Sequence, residues 1–569
     1  MNMKHHADMK CPLRDGTLLN FDLFQPDEDG AHPVILMRTP YTKACFMQEK
    51  IYACPERLIA AGYCVMVQEC RGTGKSGGTL SANAEHEYPD GFDTINWITA
   101  QPWCDGNVGM FGLSYFGFTQ LAAASRAPKA LKAICPFMTQ AAEPFGTQLT
   151  QTYNYFHLAW IYGQIAKDPE RFIPDAERRN SALEILRSYA PKLTEYAMHL
   201  PANENPAALV EGIPILKDYL DLLNGVESEA FWRRIHHPTD YTQTHCAMFH
   251  CTGWFDVCLD STIHNWNAVQ ATADDYTCQH SRLLIGPWSH GGSFHAKYDT
   301  IDFGDDNTGT GQDVTGQMIA WFDCYLKQQP QCAAEAAKVR YYIIGANEWR
   351  DDISWPPAAV KLTPFYLHTG HKLNSHAPEP SEAEPEDHYQ YDPQHPSPSF
   401  APPQNGKAAE IGDYAPISQR SDVLTYTTEP LPQSMTIAGQ ISMELYAATD
   451  AVDTDFACRV LDVAPDGIAR ALNAGLLRGK WRKGLFQYEP ITPGKAELYS
   501  IEIGNAAWQI HAGHRLAIQV CSALFPLCDR NLNTGEPSSS CNHALSTNQT
   551  IFHDALHPSR LLLPLLKDE

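Results

Sequence analysis

Short apolar runs recur through the first part of the chain, at Val34–Met37, Cys64–Val67, Val108–Phe111 and Ala133–Cys135. Runs of this length bounded by turn residues predict buried strands, and Glu56–Ala61, stopped by Gly62, predicts a helix between two of them. Strands alternating with helices predict an α/β architecture around a parallel sheet. From about 141 to 240 the strand pattern gives way to helical stretches rich in Tyr, Trp and Leu (Asn154–Ile165, Ser181–Tyr189, Pro214–Leu223). Buried-strand runs return at Cys246–Gly253 and Leu283–Trp288. The segment from Pro378 to Pro403 is rich in Pro, Glu and Ser and reads as a long connection too polar to pack. Beyond it, Ile437–Leu445, Phe456–Val463 and Arg515–Val520 alternate as strands do. The expected organisation is a sheet domain in two parts (1–140 and 241–360), a helical insertion (141–240) and a C-terminal β domain (361–569).

Three polar residues stand where apolar runs end. Ser114 lies in Gly112-Leu113-Ser114-Tyr115-Phe116-Gly117, between the run ending at Phe111 and a helix expected from Phe116 to Ala124. Asp256 closes the run through Gly253-Trp254-Phe255, and His290 closes Gly286-Pro287-Trp288-Ser289. The carboxyl ends of parallel strands are where ligands and functional residues collect. Ser, Asp, His is the chain order of an α/β-hydrolase triad, although the glycine after Ser114 comes one position later than in G-x-S-x-G. The long Ser114–Asp256 interval has room for an inserted domain. Taken alone, Ser114 also fits a helix cap, Asp256 an N-cap, and His290 one of 24 histidines.

Charge and cysteine content narrow the alternatives. A net charge of −24 without a basic patch argues against nucleic acid or an anionic membrane as partner. The start, Met1–Lys10, is polar, no apolar stretch reaches about 18 residues, and the end Lys567-Asp568-Glu569 lacks the last residue of an ER-retention signal, so a cytoplasmic protein is expected. The 17 cysteines are odd in number, form no C-x-x-C and fall in apolar runs, which suggests reduced core thiols. His245, Cys246, His250 and Cys251 suggest a metal, but neighbours on a strand face opposite ways, and no metal is expected there. Gly74-Lys75-Ser76 has Glu69 where a phosphate-binding loop needs glycine, so a turn beside the sheet edge is expected.

The motifs Gly-x-Ser-Tyr-x-Gly, Gly-Trp-x-Asp and Gly-Pro-Trp-Ser-His resemble those of the cocaine esterase and X-Pro dipeptidyl-peptidase family of serine hydrolases. Arg14-Asp15-Gly16, Arg38-Thr39-Pro40-Tyr41, Arg71-Gly72, Gly345–Arg350, Asp453–Phe456 and Phe525–Asn531 extend the resemblance over nearly the whole chain. It implies an α/β-hydrolase domain with an inserted helical cap and a C-terminal jelly-roll β-sandwich. Ser114 would be the nucleophile, His290 the general base, and Asp256 the group that orients it. The oxyanion donors would be the Tyr115 N–H and the Tyr41 phenol, and Trp160 and Phe255 would contact substrate. No cofactor is implied. The expected reaction is hydrolysis of a small ester or amide through an acyl-enzyme. X-Pro dipeptidyl peptidase and α-amino acid ester hydrolase are the alternatives, and a non-catalytic carbohydrate-binding protein is a third. Amino acid ester hydrolases carry acidic residues just after the triad aspartate, whereas Val257 and Cys258 stand here and the first carboxylate is Asp260. An apolar acyl group is therefore favoured. Phe525-Pro526 is expected to pack on the catalytic domain, and the oligomeric state is left open, a homo-oligomer included.

Overall fold

The computed structural model describes residues 3–567 except 42, 44–54, 82–83, 141–153, 174, 212, 226–227, 229, 231–240, 291–293, 299, 329–336, 381–384, 402–410 and 485–486. Its first layer is a 10-stranded sheet in the order β1-β2-β4-β3-β5-β6-β7-β8-β9-β10. The strands are β1 (Met3–Pro12), β2 (Leu18–Pro26), β3 (His32–Thr39), β4 (Cys64–Glu69), β5 (Cys104–Leu113), β6 (Leu131–Phe137), β7 (Ala247–Phe255), β8 (Ser281–Ser289), β9 (Val339–Ile343) and β10 (Glu348–Asp352). From β4 across to β9 every pairing is parallel, while β1, β2 and β10 attach antiparallel. The inner strands read as continuous apolar runs because helices cover both faces, and β4 is buried at every residue. The chain steps outward from β3 to β4 and then returns past β3 to β5. That reversal opens a crevice at the strand ends.

Helices α1 (Glu87–Thr99), α2 (Tyr115–Ala124), α3 (Asn154–Lys167), α4 (Leu259–Thr272) and α5 (Val314–Leu326) pack around this sheet or its insertion. Between β6 and β7 the described chain forms helices and no strand, as the loss of strand pattern predicted. Leu158, Ile161 and Ile165 of α3 join Leu186, Leu216 and Tyr219 in a separate apolar cluster.

Residues from Val360 to Leu566 form an 11-stranded, largely antiparallel sheet system. Two motifs of this part meet in its interior. Arg478 pairs with Asp455 at 3.1 Å, and Asn531 donates to the same carboxylate at 2.7 Å. The expectation for 378–403 needs correction, because Glu386–Tyr391 is a strand paired with Thr547–Phe552, with Tyr389 and Tyr391 buried. It lies at the sheet edge, where outward polar residues are tolerated. Phe525 is buried as expected, but its backbone bonds run to Ser397 and Ser399 of its own domain. Contacts with the helical insertion include Arg530, which donates to the Met198 carbonyl at 2.6 Å, and the Asn203 amide, which donates to Ser539 O at 2.9 Å.

The two sheet systems share one core. Trp254, Leu283 and Tyr341 belong to the same apolar cluster as Ile501, Ile503 and Trp508. At the seam, Ile344 exchanges backbone bonds with Ala507 and Gln509.

Candidate active site

Strand β5 turns into α2 at Ser114, whose backbone adopts φ 62° and ψ −125°. A non-glycine residue at positive φ is strained, and the surrounding structure has to hold it. Here Ser114 N donates to Phe137 O at 3.0 Å, and Thr139 Oγ1 donates to Ser114 O at 2.8 Å. Gly112 makes the sharp turn possible: at φ +146° a Cβ would lie 2.3 Å from Cβ of Phe116. The serine hydroxyl is thereby presented at the end of the sheet.

A second close approach shapes the neighbouring strands. Gly253 of β7 and Gly286 of β8 pair in register, and a Cβ on either would strike Trp288 within 2.4 Å. These are the glycines of the Gly-Trp-x-Asp and Gly-Pro-Trp-Ser-His motifs. Gly286 admits the Trp288 indole, which is fixed by its bond to Asn307 O at 2.8 Å, and Gly253 admits the Trp288 backbone carbonyl. Asp256 and His290 follow on from this packed pair of strands.

The structure brings the three predicted residues together. His290 Nε2 lies 3.1 Å from Ser114 Oγ, and His290 Nδ1 lies 2.9 Å from Asp256 Oδ1. The Asp256 side chain is fully buried, while that of His290 remains 22% exposed. Thr252 donates to Asp256 Oδ2 at 3.1 Å, and the Cys258 amide donates to Oδ1 at 2.8 Å. The carboxylate is thus hydrogen-bonded on both oxygens. Burial pulls the His290 pKa down, but the adjacent Asp256 charge outweighs it and holds the imidazole well above its ordinary value.

Tyr41 and Tyr115 also converge. Tyr41 follows β3, the neighbour of β5, and its ring packs edge-on against Phe116. Trp160 Nε1 donates to the Tyr41 oxygen at 3.2 Å, and the Trp160 ring lies parallel to that of Tyr115 at 6.1 Å. Burial raises the Tyr41 pKa, against the opposing effect of the neighbouring Trp160 and Ser114 side chains, so the phenol stays protonated at neutral pH. Tyr115 begins α2, so its amide is among those without an intrahelical acceptor. Its hydroxyl reaches away from the site to Glu87 Oε1 at 3.1 Å, and Glu87 is paired with buried Arg38 at 2.7 Å. Phe255, directly before Asp256, packs against Tyr298 and Phe303.

The remaining candidates have structural explanations. Lys75 N and Ser76 Oγ bind the carboxylate and carbonyl of Glu69, so the Gly-Lys-Ser turn encloses a side chain of its own protein. His250 is buried, and its pKa is pushed down to about 3 by desolvation. His245 pairs with Asp274 at 2.6 Å. Cys64, Cys135, Cys246, Cys251 and Cys521 are buried free thiols. Asp260 is held by the amide and side chain of Asn505 at 2.7 and 2.8 Å and by Asn473 at 3.3 Å. Among the described residues, no helix is long and apolar enough to cross a membrane.

Two family profiles match the chain, the X-Pro dipeptidyl-peptidase (S15 family) over residues 15–292 and the X-Pro dipeptidyl-peptidase C-terminal non-catalytic domain over 333–562. The cocaine esterase of Rhodococcus sp. (strain MB1 Bresler) is 32% identical over 594 aligned positions, spanning 99% of this chain and 98% of that protein. The chain belongs to the cocaine esterase and X-Pro dipeptidyl-peptidase family. It is a serine hydrolase with an α/β-hydrolase fold and a C-terminal β-rich domain. Two solved structures share the fold. An aminopeptidase from a marine sediment Thaumarchaeota archaeon has a TM-score of 0.79 at 23% identity, covering 100% of this chain and 97% of its own. An alpha-amino acid ester hydrolase has a TM-score of 0.76 at 23% identity, covering 99% and 96%.

Several supporting residues were not legible in the sequence. Thr139, Thr252 and Glu87 come from a loop, a strand and a helix and belong to no quoted motif, and Arg38, although it opens Arg38-Thr39-Pro40-Tyr41, gave no sign of its pairing with Glu87. Cys258 was noted only as a non-acidic neighbour of Asp256, yet its backbone holds that carboxylate.

Proposed function

We propose that Ser114 attacks the carbonyl of a carboxylic ester or acyl amide and carries the acyl group as a covalent intermediate. His290 Nε2 takes the serine proton and returns it to the leaving group, and Asp256 holds the Nδ1–H tautomer and stabilises the transient imidazolium. The Tyr41 phenol and the Tyr115 N–H donate to the tetrahedral oxyanion, with Trp160 fixing the phenol. The observation that carries this reading is the 3.1 Å approach of His290 Nε2 to Ser114 Oγ, with the imidazole anchored to Asp256.

The helices between β6 and β7 form the cap of this reading, and the C-terminal strands form a jelly roll. The domains then run 1–140 and 241–360 for the hydrolase, 141–240 for the cap and 361–569 for the jelly roll. The position of Trp160 in α3, beside Tyr41 and Tyr115, supports a cap that reaches the acyl pocket. The likeness to cocaine esterase supports an ester as substrate. Asp260, the first carboxylate after the triad aspartate, is committed to Asn505 and Asn473, which argues against its use as an ammonium anchor for amino acid esters or dipeptides.

Rates on p-nitrophenyl butyrate, phenylacetyl p-nitroanilide and Gly-Pro p-nitroanilide test this reading. Turnover of the ester is expected, with little on Gly-Pro p-nitroanilide. Preferential release from the Gly-Pro substrate would replace the esterase reading with the dipeptidase one.

A further inference from the structure

We propose that Cys258, His290 and Asp256 form an inhibitory binding site for Zn²⁺ within the catalytic centre. One donor atom from each, sulfur, nitrogen and oxygen, lies within 4.8 Å of the other two. The chain between β7 and α4 creates this arrangement. It leaves the strand at Asp256, exposes Val257 and turns back at Cys258 immediately before the first helical residue, Leu259. The Cys258 amide already binds Asp256 Oδ1 at 2.8 Å, which holds the Cys258 backbone beside the carboxylate. Cys258 and His290 are both partly exposed, which leaves the set open to an ion from solvent.

The donors suit zinc. Thiolate, imidazole and carboxylate are its usual ligands, at about 2.3, 2.0–2.1 and 2.0–2.2 Å. A tetrahedral centre with those bonds holds its ligands roughly 3.3–3.8 Å apart, so modest side-chain adjustment closes the set, with water in the fourth position. Hydrolysis itself has no use for the sulfur, and no other carboxylate is needed.

The consequence follows from the proton balance. Before binding, neutral His290 carries its proton on Nδ1, facing Asp256, and offers the Nε2 lone pair to Ser114. Zinc coordinated at Nδ1 takes the place of the Nδ1 proton, so the ring proton moves to Nε2 and the Cys258 thiol releases its proton to solvent. Nothing is oxidised or reduced. Nε2 then donates instead of accepting, and the serine has no base. The loss of activity rests on the triad reading, whereas metal binding rests on the three donors alone.

The test uses EDTA-treated wild type, Cys258→Ala and Cys541→Ser, each compared with its own metal-free rate. Cys541 belongs to a second set of potential ligands, with Glu536 and His543 on the surface of the C-terminal domain, and serves as the control. With ZnCl₂ and p-nitrophenyl butyrate, wild type and Cys541→Ser should be inhibited at micromolar free zinc and restored by EDTA. Cys258→Ala should need at least about tenfold more metal. Cobalt(II) provides a readout independent of turnover: the near-ultraviolet thiolate-to-cobalt band should be stronger in wild type than in Cys258→Ala. Equal inhibition of wild type and Cys258→Ala, loss of inhibition in Cys541→Ser, or the absence of any Cys258-dependent cobalt band would overturn the proposal. An enzyme that binds cobalt through Cys258 but does not turn over p-nitrophenyl butyrate would instead refute the esterase reading and leave the metal site standing.

Discussion

Trp160 Nε1 donates a hydrogen bond of 3.2 Å to the phenolic oxygen of Tyr41. Because the indole donates to that oxygen, the phenol's own hydrogen stays free for another acceptor. Such a donor is preorganised and costs no reorientation when charge develops on the substrate oxygen. Replacing Tyr41 with Phe keeps the ring that packs on Phe116 and removes only the donor. We expect kcat for p-nitrophenyl butyrate to fall by about 10²-fold with an unchanged circular dichroism spectrum. An unaltered kcat would exclude Tyr41 from the reaction.

The turn at Gly112 gives a prediction about geometry instead of chemistry. An added methyl would sit 2.3 Å from Cβ of Phe116, at a φ that L residues rarely adopt. Gly112→Ala should therefore displace the start of α2, taking Ser114 and the Tyr115 amide with it. A misplacement of about 1 Å costs about 10²-fold in rate. Steady-state kinetics should show that loss in kcat, with melting lowered by a few degrees. Wild-type rates in a soluble Gly112→Ala protein would mean that the turn is not under the constraint described.

The pH profile should carry the signature of His290. Its imidazole is partly buried, which lowers its pKa, but Asp256 raises it further than burial lowers it. Among the described residues, Cys258, Tyr41 and Ser114 also face it. The base works only when neutral, so in EDTA-treated enzyme kcat/KM should fall as pH drops through a value above 6.5. The stability linkage has the opposite sense. A histidine whose folded pKa is raised stabilises the fold fully below its unfolded value and loses that contribution as pH rises through the folded value. Activity should thus increase while this contribution fades. In Asp256→Asn the charge that raises the pKa is gone, and the linkage difference in melting between acid and alkaline pH should shrink, with kcat reduced by roughly 10⁴. A midpoint below 6.5 for wild-type kcat/KM would contradict the account.

The sequence revealed the catalytic layer more fully than its supports, for physical reasons. Ser114, Asp256 and His290 each follow a continuous apolar run, and parallel strands buried on both faces make such runs conspicuous. The edge strands were harder to see. Met3–Pro12 is mostly exposed, and Glu386–Tyr391 alternates exposed His388 and Gln390 with buried Tyr389 and Tyr391 inside a Pro- and Glu-rich stretch. An edge needs only one apolar face, so composition hid both. The charge network behind Tyr115 was equally hidden, because Arg38, Glu87 and Tyr115 come from a strand and two helices far apart in the chain. The role of Asp260 in joining the two domains emerges only once Asn473 and Asn505 are placed opposite it.

The central claim is that Ser114 is the nucleophile. The most direct measurement treats wild type and Ser114→Ala with a fluorophosphonate, locates the adduct by peptide mass spectrometry, and follows p-nitrophenyl butyrate hydrolysis in parallel. The account predicts one adduct on the peptide containing Ser114, complete loss of turnover with labelling, and a Ser114→Ala rate reduced on the order of a millionfold with normal folding. An adduct on a different serine, or appreciable hydrolysis by Ser114→Ala, would contradict it.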